Sequence, residues 1–175
     1  LGDAGYAVQD LPDDSADLIA KLKAGPTNAG WQGRQSDVIL PLSVYEQHFA
    51  ALPTKVREVV IARWGAPAAD PMCDGENLHL PLRRFGHVTV GIQPARGYNI
   101  DPKSTYHSPD LVPPHNYFAL YIWLRETGGA HAVVHFGKHG NLEWLPGKAL
   151  ALSEACFPEA VLGPIPHLYP FIVND

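Results

Sequence analysis

Residues 93–114 contain five prolines, Pro94, Pro102, Pro109, Pro113 and Pro114, and show no sustained apolar period. Proline lacks a backbone donor and fixes φ, so neither a long helix nor a central strand can cross this stretch. The chain is thereby divided into residues 1–92 and residues 93–175, expected to be two segments of one continuous unit. Loops this long in compact domains are either functional or disordered, and the aromatic and arginine content here predicts an ordered one. The whole chain, 175 residues with 46% hydrophobic and 18% charged, is long enough for one domain with a real core.

On either side of the loop the patterns are regular. Asp13 and Asp14 precede an apolar stripe that Gly25 and Pro26 stop, predicting a short helix to Lys23. Ser43 with Glu46 reads as a capping box for a helix to about Ala51, and Pro53 begins another that ends near Trp64. Residues 78–82 and 87–92 alternate around Arg83, Arg84, Phe85 and Gly86, the pattern of a hairpin. Beyond the loop, Pro113 and Pro114 start a helix carrying Tyr117, Leu120, Tyr121 and Leu124. Gly128 and Gly129 end it before a strand over residues 131–136. A short helix near 150–156, a proline-rich turn and a strand at 169–173 complete an α/β unit. The expected fold is α/β, a mixed or mainly parallel sheet with flanking helices and long ordered loops.

Several function classes are excluded. Net charge is −5 and the 13 Lys and Arg are scattered, so no basic stripe supports nucleic-acid binding. Cys73 and Cys156 form neither a disulfide framework nor a zinc signature, which fits a reducing cytoplasm. No apolar run approaches the roughly 20 residues of a membrane span, so no membrane insertion is expected. The absence of an initial Met and the strand-like end at Asp175 suggest a piece of a larger multidomain subunit. Neither Gly-Lys pair has a Gly five residues earlier, since positions 132 and 142 are Ala and Leu, so a phosphate-binding loop is absent. His131 and His135 flank Ala132 where a zinc hydrolase helix needs Glu, and no GxSxG elbow exists.

The chemistry concentrates in residues 131–148, where His131, His135, His139, Glu143, Lys138 and Lys148 sit among glycines. Imidazole and carboxylate are the ligands and proton carriers suited to borderline divalent metals. Glu143 is the strongest candidate for proton acceptor or metal ligand, with His139, four positions earlier, as ligand or relay. A helix would put both on one face, and a loop around Gly140 and Gly147 is equally compatible. His135 and His131 share one face of the expected strand, and His135 is the third metal candidate. In the long loop, Arg96 is able to grip a carboxylate with two bonds, and Tyr98, Tyr106, His107 and His115 could stack on a ring. Trp144 could wall a flat ligand and Lys148 could meet its carboxylates. Each has an ordinary alternative: strand packing for His131 and His135, a cap or surface bond for Glu143, core packing for Trp144, solvation for Lys148, an internal salt bridge for Arg96, loop packing for the aromatics.

The motifs GKHGNLEWLPGK (137–148), QPARGYN (93–99) and LYPFIVND (168–175) together resemble the large subunit of cobaltochelatase, the CobN-type family, related to the large subunit of magnesium chelatase. GPTN (25–28), Trp64-Gly65, YHSP (106–109) and WLR (123–125) extend the resemblance in order over nearly the whole chain. It implies an internal fragment of a tetrapyrrole-binding subunit that takes part in ATP-dependent insertion of Co(II) into hydrogenobyrinic acid a,c-diamide, in aerobic cobalamin biosynthesis. It also implies that ATP, with Mg2+, is hydrolysed by partner subunits, a AAA+ ATPase and an integrin I-domain-like protein. A magnesium-inserting subunit acting on protoporphyrin IX, or a noncatalytic ring-binding scaffold, are the alternatives. The magnesium relatives tend to have Thr where this chain has Lys138 and Asn141, which tilts the expected metal toward cobalt.

Overall fold

A computed structural model of the chain describes residues 1–101, 108, 110–137, 142–147 and 153–170. The first helix, α1 (Ser15–Ala24), starts where the Asp14 carboxylate accepts from the Asp17 amide at 2.8 Å. A short strand, β1 (Ile39–Pro41), runs directly into α2 (Leu42–Ala50), and α3 (Thr54–Trp64) follows Pro53. Both helices begin after a proline without a side-chain cap, so the expected Ser43–Glu46 capping box does not form: Ser43 already lies inside the first turn of α2. Tyr45 with Phe49 and Val56 with Val60, each pair four residues apart, are the faces these helices bury.

The strands depart from the expected register. Residues Asn77–His79 form β2, which pairs antiparallel with β1 (Ile39 opposite His79) rather than opening the hairpin. The hairpin is β3 (Leu82–Phe85) with β4 (Val88–Gly91), so Arg83 and Arg84 belong to a strand and not to the turn. Gly86, at φ 67°, fixes this register, because a two-residue hairpin loop requires positive φ. A Cβ there would also press on the Ala7 carbonyl, against which the turn docks through His87 N–H at 2.8 Å.

Helix α4 (His115–Ile122) is buried along all eight residues and continues as a π-helical turn, Trp123–Thr127. It is the axis of the core, packed by Leu40, Tyr45, Phe49 and Val60 from the first segment and Leu142, Phe157 and Val161 from the second. Its N-terminus is held by Asp70, which accepts from the Asn116 backbone amide at 2.8 Å and from the Asn116 side chain at 3.0 Å. The expected strand at 131–136 contracts to β5 (Val133–Val134), paired parallel with β6 (His167–Leu168). Between them lies α5 (Phe157–Leu162), with Pro158 in its first turn, where the sequence reading placed a turn. Of the helix expected at 150–156, residues 153–156 are a turn closed by Cys156 N–H to the Ser153 carbonyl, 2.9 Å, and residues 150–152 lie outside the described residues. So do residues 171–173 of the last expected strand. Among the described residues the strands form three two-stranded ladders, two antiparallel and one parallel, and no helix is long and apolar enough to cross a membrane.

Candidate functional site

Parallel pairing of β5 with β6 sets Val133 opposite His167 and carries the chain on so that the His135 amide bonds the Leu168 carbonyl at 2.9 Å. Alternate residues of neighbouring strands share a face. The two imidazoles therefore meet: His135 Nδ1 lies 3.0 Å from His167 Nε2, with ring centroids 4.5 Å apart and planes at 78°. Tyr169 flanks both, its ring stacked on His167 at 6.3 Å.

Beneath the pair runs a polar chain into the core. His135 Nε2 is 3.0 Å from the Tyr121 hydroxyl, which donates to Gln93 Oε1 at 3.0 Å, while Gln93 Nε2 donates to the Tyr117 hydroxyl. Because the Tyr121 proton is given to Gln93, its oxygen accepts from His135 Nε2–H, and the His135 Nδ1 lone pair faces His167. Tyr117 and Tyr121 are one helical turn apart on α4, so one helix presents both hydroxyls. Burial pushes His135 down to about 4, with His167 adding to the effect, and burial also lowers His167. Burial raises both tyrosines. The assembly at neutral pH is thus two neutral imidazoles over two protonated phenols.

The loop after β4 anchors this chain from the other side. Asn28 donates to the Gln93 carbonyl at 2.9 Å and accepts from the Ala95 amide at 2.7 Å, fixing Gln93 beneath the histidines. Three residues on, the Arg96 side chain is fully buried, and its Nη1 donates to the Trp144 carbonyl at 2.6 Å and the Ser108 carbonyl at 3.3 Å. Gly97 follows at φ 108°, where a Cβ would run into the Trp64 indole. The 3-10 turn Leu142–Trp144 is held by buried Leu142 and Leu145 and presents Glu143 to solvent, with Trp144 half-buried beside it.

Of the residues singled out from sequence, Arg96 and Trp144 are brought into contact, and His135 is joined by a partner the sequence reading missed. Arg96 is enclosed and bonded to carbonyls instead of facing outward. His115 is placed in the core with no exposed surface, its ring nitrogens bonded to the Tyr45 hydroxyl at 2.7 Å and the Gly65 carbonyl at 3.0 Å. Tyr98 is half-buried in the turn after Gly97. His131 is exposed. His139, Tyr106, His107 and Lys148 lie outside the described residues. His167, Gln93, Tyr117 and Tyr121 escaped as functional groups. The i, i+4 spacing of the tyrosines was legible but read as an apolar stripe, and nothing local marks His167 as the partner of His135.

The profile of the family described as CobN/Magnesium Chelatase matches residues 1–175. The chain belongs to that family. It is 60% identical over 171 residues to the aerobic cobaltochelatase subunit CobN of a Sinorhizobium species, covering 98% of this chain and 13% of that protein. The CobN subunit of Pseudomonas aeruginosa is 50% identical over 177 residues, covering 100% of this chain and 14% of its own length. Among solved structures, the catalytic subunit of cobaltochelatase from Mycobacterium tuberculosis superposes with a TM-score of 0.84 at 40% identity, over 99% of this chain and 15% of that one. The chain spans about one-seventh of the length of the relatives it matches.

Proposed function

We propose that this chain is part of the large, tetrapyrrole-binding subunit of an ATP-dependent cobaltochelatase, which inserts Co(II) into hydrogenobyrinic acid a,c-diamide in the cytoplasm during aerobic cobalamin biosynthesis. ATP, with Mg2+, is hydrolysed on partner subunits, a AAA+ ATPase and an integrin I-domain-like protein. The observation that carries the reading is the His135–His167 pair on a CobN-type segment whose motif also presents an exposed Glu143.

Insertion replaces two ring N–H protons with one divalent ion, so it needs lone pairs that hold the ion without its water shell and bases that take the protons. Neutral imidazole and carboxylate supply both, and a histidine whose proton affinity is lowered by burial is a ligand at neutral pH without first releasing a proton. His135, His139 and Glu143 act as metal donors, with Glu143 and His139 also accepting protons. Tyr98, Tyr106, His107, Trp144 and Lys148 serve the ring and its carboxylate rim. Arg96 acts one step back, holding the Trp144 carbonyl and with it the turn that carries Glu143.

In the full-length subunit assembled with its partners, Glu143→Gln is expected to abolish insertion while ring affinity stays within threefold of wild type. Insertion at the wild-type rate would sink the assignment of Glu143.

A further inference from the structure

His167 stands outside the His-rich motif, yet its position relative to His135 is that of a second ligand. An ion about 2.1 Å from each of two imidazole nitrogens, with the two bonds at right angles as in octahedral coordination, places the nitrogens about 3.0 Å and the ring centroids about 4.6 Å apart. The observed values are 3.0 Å and 4.5 Å. A straight N–H···N hydrogen bond at that separation would hold the centroids about 5.3 Å apart, so without an ion the two rings are joined by a bent hydrogen bond.

We propose that His135 Nδ1 and His167 Nε2 form a two-imidazole docking site for the divalent cobalt ion, a transfer point from which the ion is passed to the ring. Its identification with the inserted metal rests on the cobaltochelatase reading above.

Three features support it. The back of the site is built as metal-ligating histidines require: His135 gives its other N–H to Tyr121, whose hydroxyl is committed to Gln93, so Nδ1 keeps its lone pair and the ring its orientation. The ladder sets both imidazoles on rigid backbone, with Val133 opposite His167. Among the described residues no third His, Cys, Asp or Glu joins the pair. With these two ligands the other coordination positions stay open to water, to His139 and Glu143 as the ion moves on, and to incoming ring nitrogens, so the ion is held loosely enough to leave. Tyr169 walls one side of the site.

The probe is Co2+ alone, added to the full-length subunit without ring. X-ray absorption of wild type loaded with one equivalent is expected to show scattering from two imidazoles at about 2.1 Å, falling to one in His167→Gln. By calorimetry, His135→Gln and His167→Gln should each weaken Co2+ binding at least tenfold, with His131→Gln, two residues before β5 and exposed, unchanged. Ring affinity in each variant reports that the subunit is folded, and should either variant fail to fold, the wild-type absorption spectrum decides alone. Wild-type Co2+ affinity in His167→Gln, or a spectrum without a paired imidazole, overturns the proposal. Insertion at the wild-type rate by a His167→Gln subunit that has lost the Co2+ site overturns it while leaving the cobaltochelatase reading intact. Co2+ bound at the pair in a complex that inserts no cobalt upholds the site and removes that reading instead.

Discussion

Replacing Arg96 with Met separates two roles for that guanidinium by magnitude. If Arg96 gripped a substrate carboxylate, its removal would take away a hydrogen bond to a charged group, about 1.5–3 kcal/mol. At 1.4 kcal/mol per decade, that weakens ring binding about 10- to 150-fold. In the structure Arg96 is instead fully buried and donates to the Trp144 and Ser108 carbonyls. Met fills much of the same volume but leaves those carbonyls without that donor. Each unsatisfied buried group costs about 1–3 kcal/mol, partly offset because a charge no longer has to be kept out of water. Ring affinity is then expected to stay within about threefold, while the turn bearing Glu143 shifts. Displacements near 1 Å at a reacting group cost on the order of 100-fold in rate. Ring titration followed by tryptophan fluorescence gives the affinity, and a single-turnover insertion assay on the ring-saturated complex gives the rate. A tenfold or greater loss of ring affinity with an unchanged insertion rate would refute the positioning role.

Asp70→Ala removes the acceptor of the Asn116 backbone amide at the start of α4 and strands the Asn116 side chain. Opening of the first turn of α4 should become easier by about 2–4 kcal/mol, so its amides exchange about 30- to 1000-fold faster, and a change below threefold would show that Asp70 is dispensable. For His135, held at about 4 in the folded chain against an ordinary 6.5, protonation favours opening. Its contribution is complete above about pH 6.5 and is lost as pH falls toward 4. That gap is worth about 3.4 kcal/mol at full burial, and partial exposure screens it to roughly half. Melting midpoints should therefore fall more steeply between pH 7 and 5 in wild type than in His135→Gln, and parallel curves would contradict the buried, neutral assignment.

The helices were legible where local signals decide them. Asp14 caps α1, Pro53 opens α3, and the Tyr117, Leu120, Tyr121 stripe marks α4. The errors arose where a local signal had two readings. Ser43 and Glu46 satisfy the capping-box spacing, but Pro41 begins α2 two residues earlier. The proline-rich stretch after residue 156 read as a turn although Pro158 sits in the first turn of α5. Gly86 read as the end of a four-residue turn although its positive φ makes it half of a two-residue one. The candidate site was legible as far as residues 131–148, which hold His135 and Glu143. Its other half depends on non-local pairing: β5 meets β6 across α5, and Asn28 reaches Gln93 across 65 positions. No periodicity encodes such contacts. The burial of Arg96 and His115 was hidden for a related reason, since a charged or polar side chain looks the same in sequence whether it faces solvent or spends its donors on buried carbonyls.

The most direct test of the central claim is an electron cryomicroscopy map of the full-length subunit with hydrogenobyrinic acid a,c-diamide bound. Ring density is expected in contact with His135, His167 and Glu143. Ring density in another part of the subunit, with these residues untouched, would contradict it.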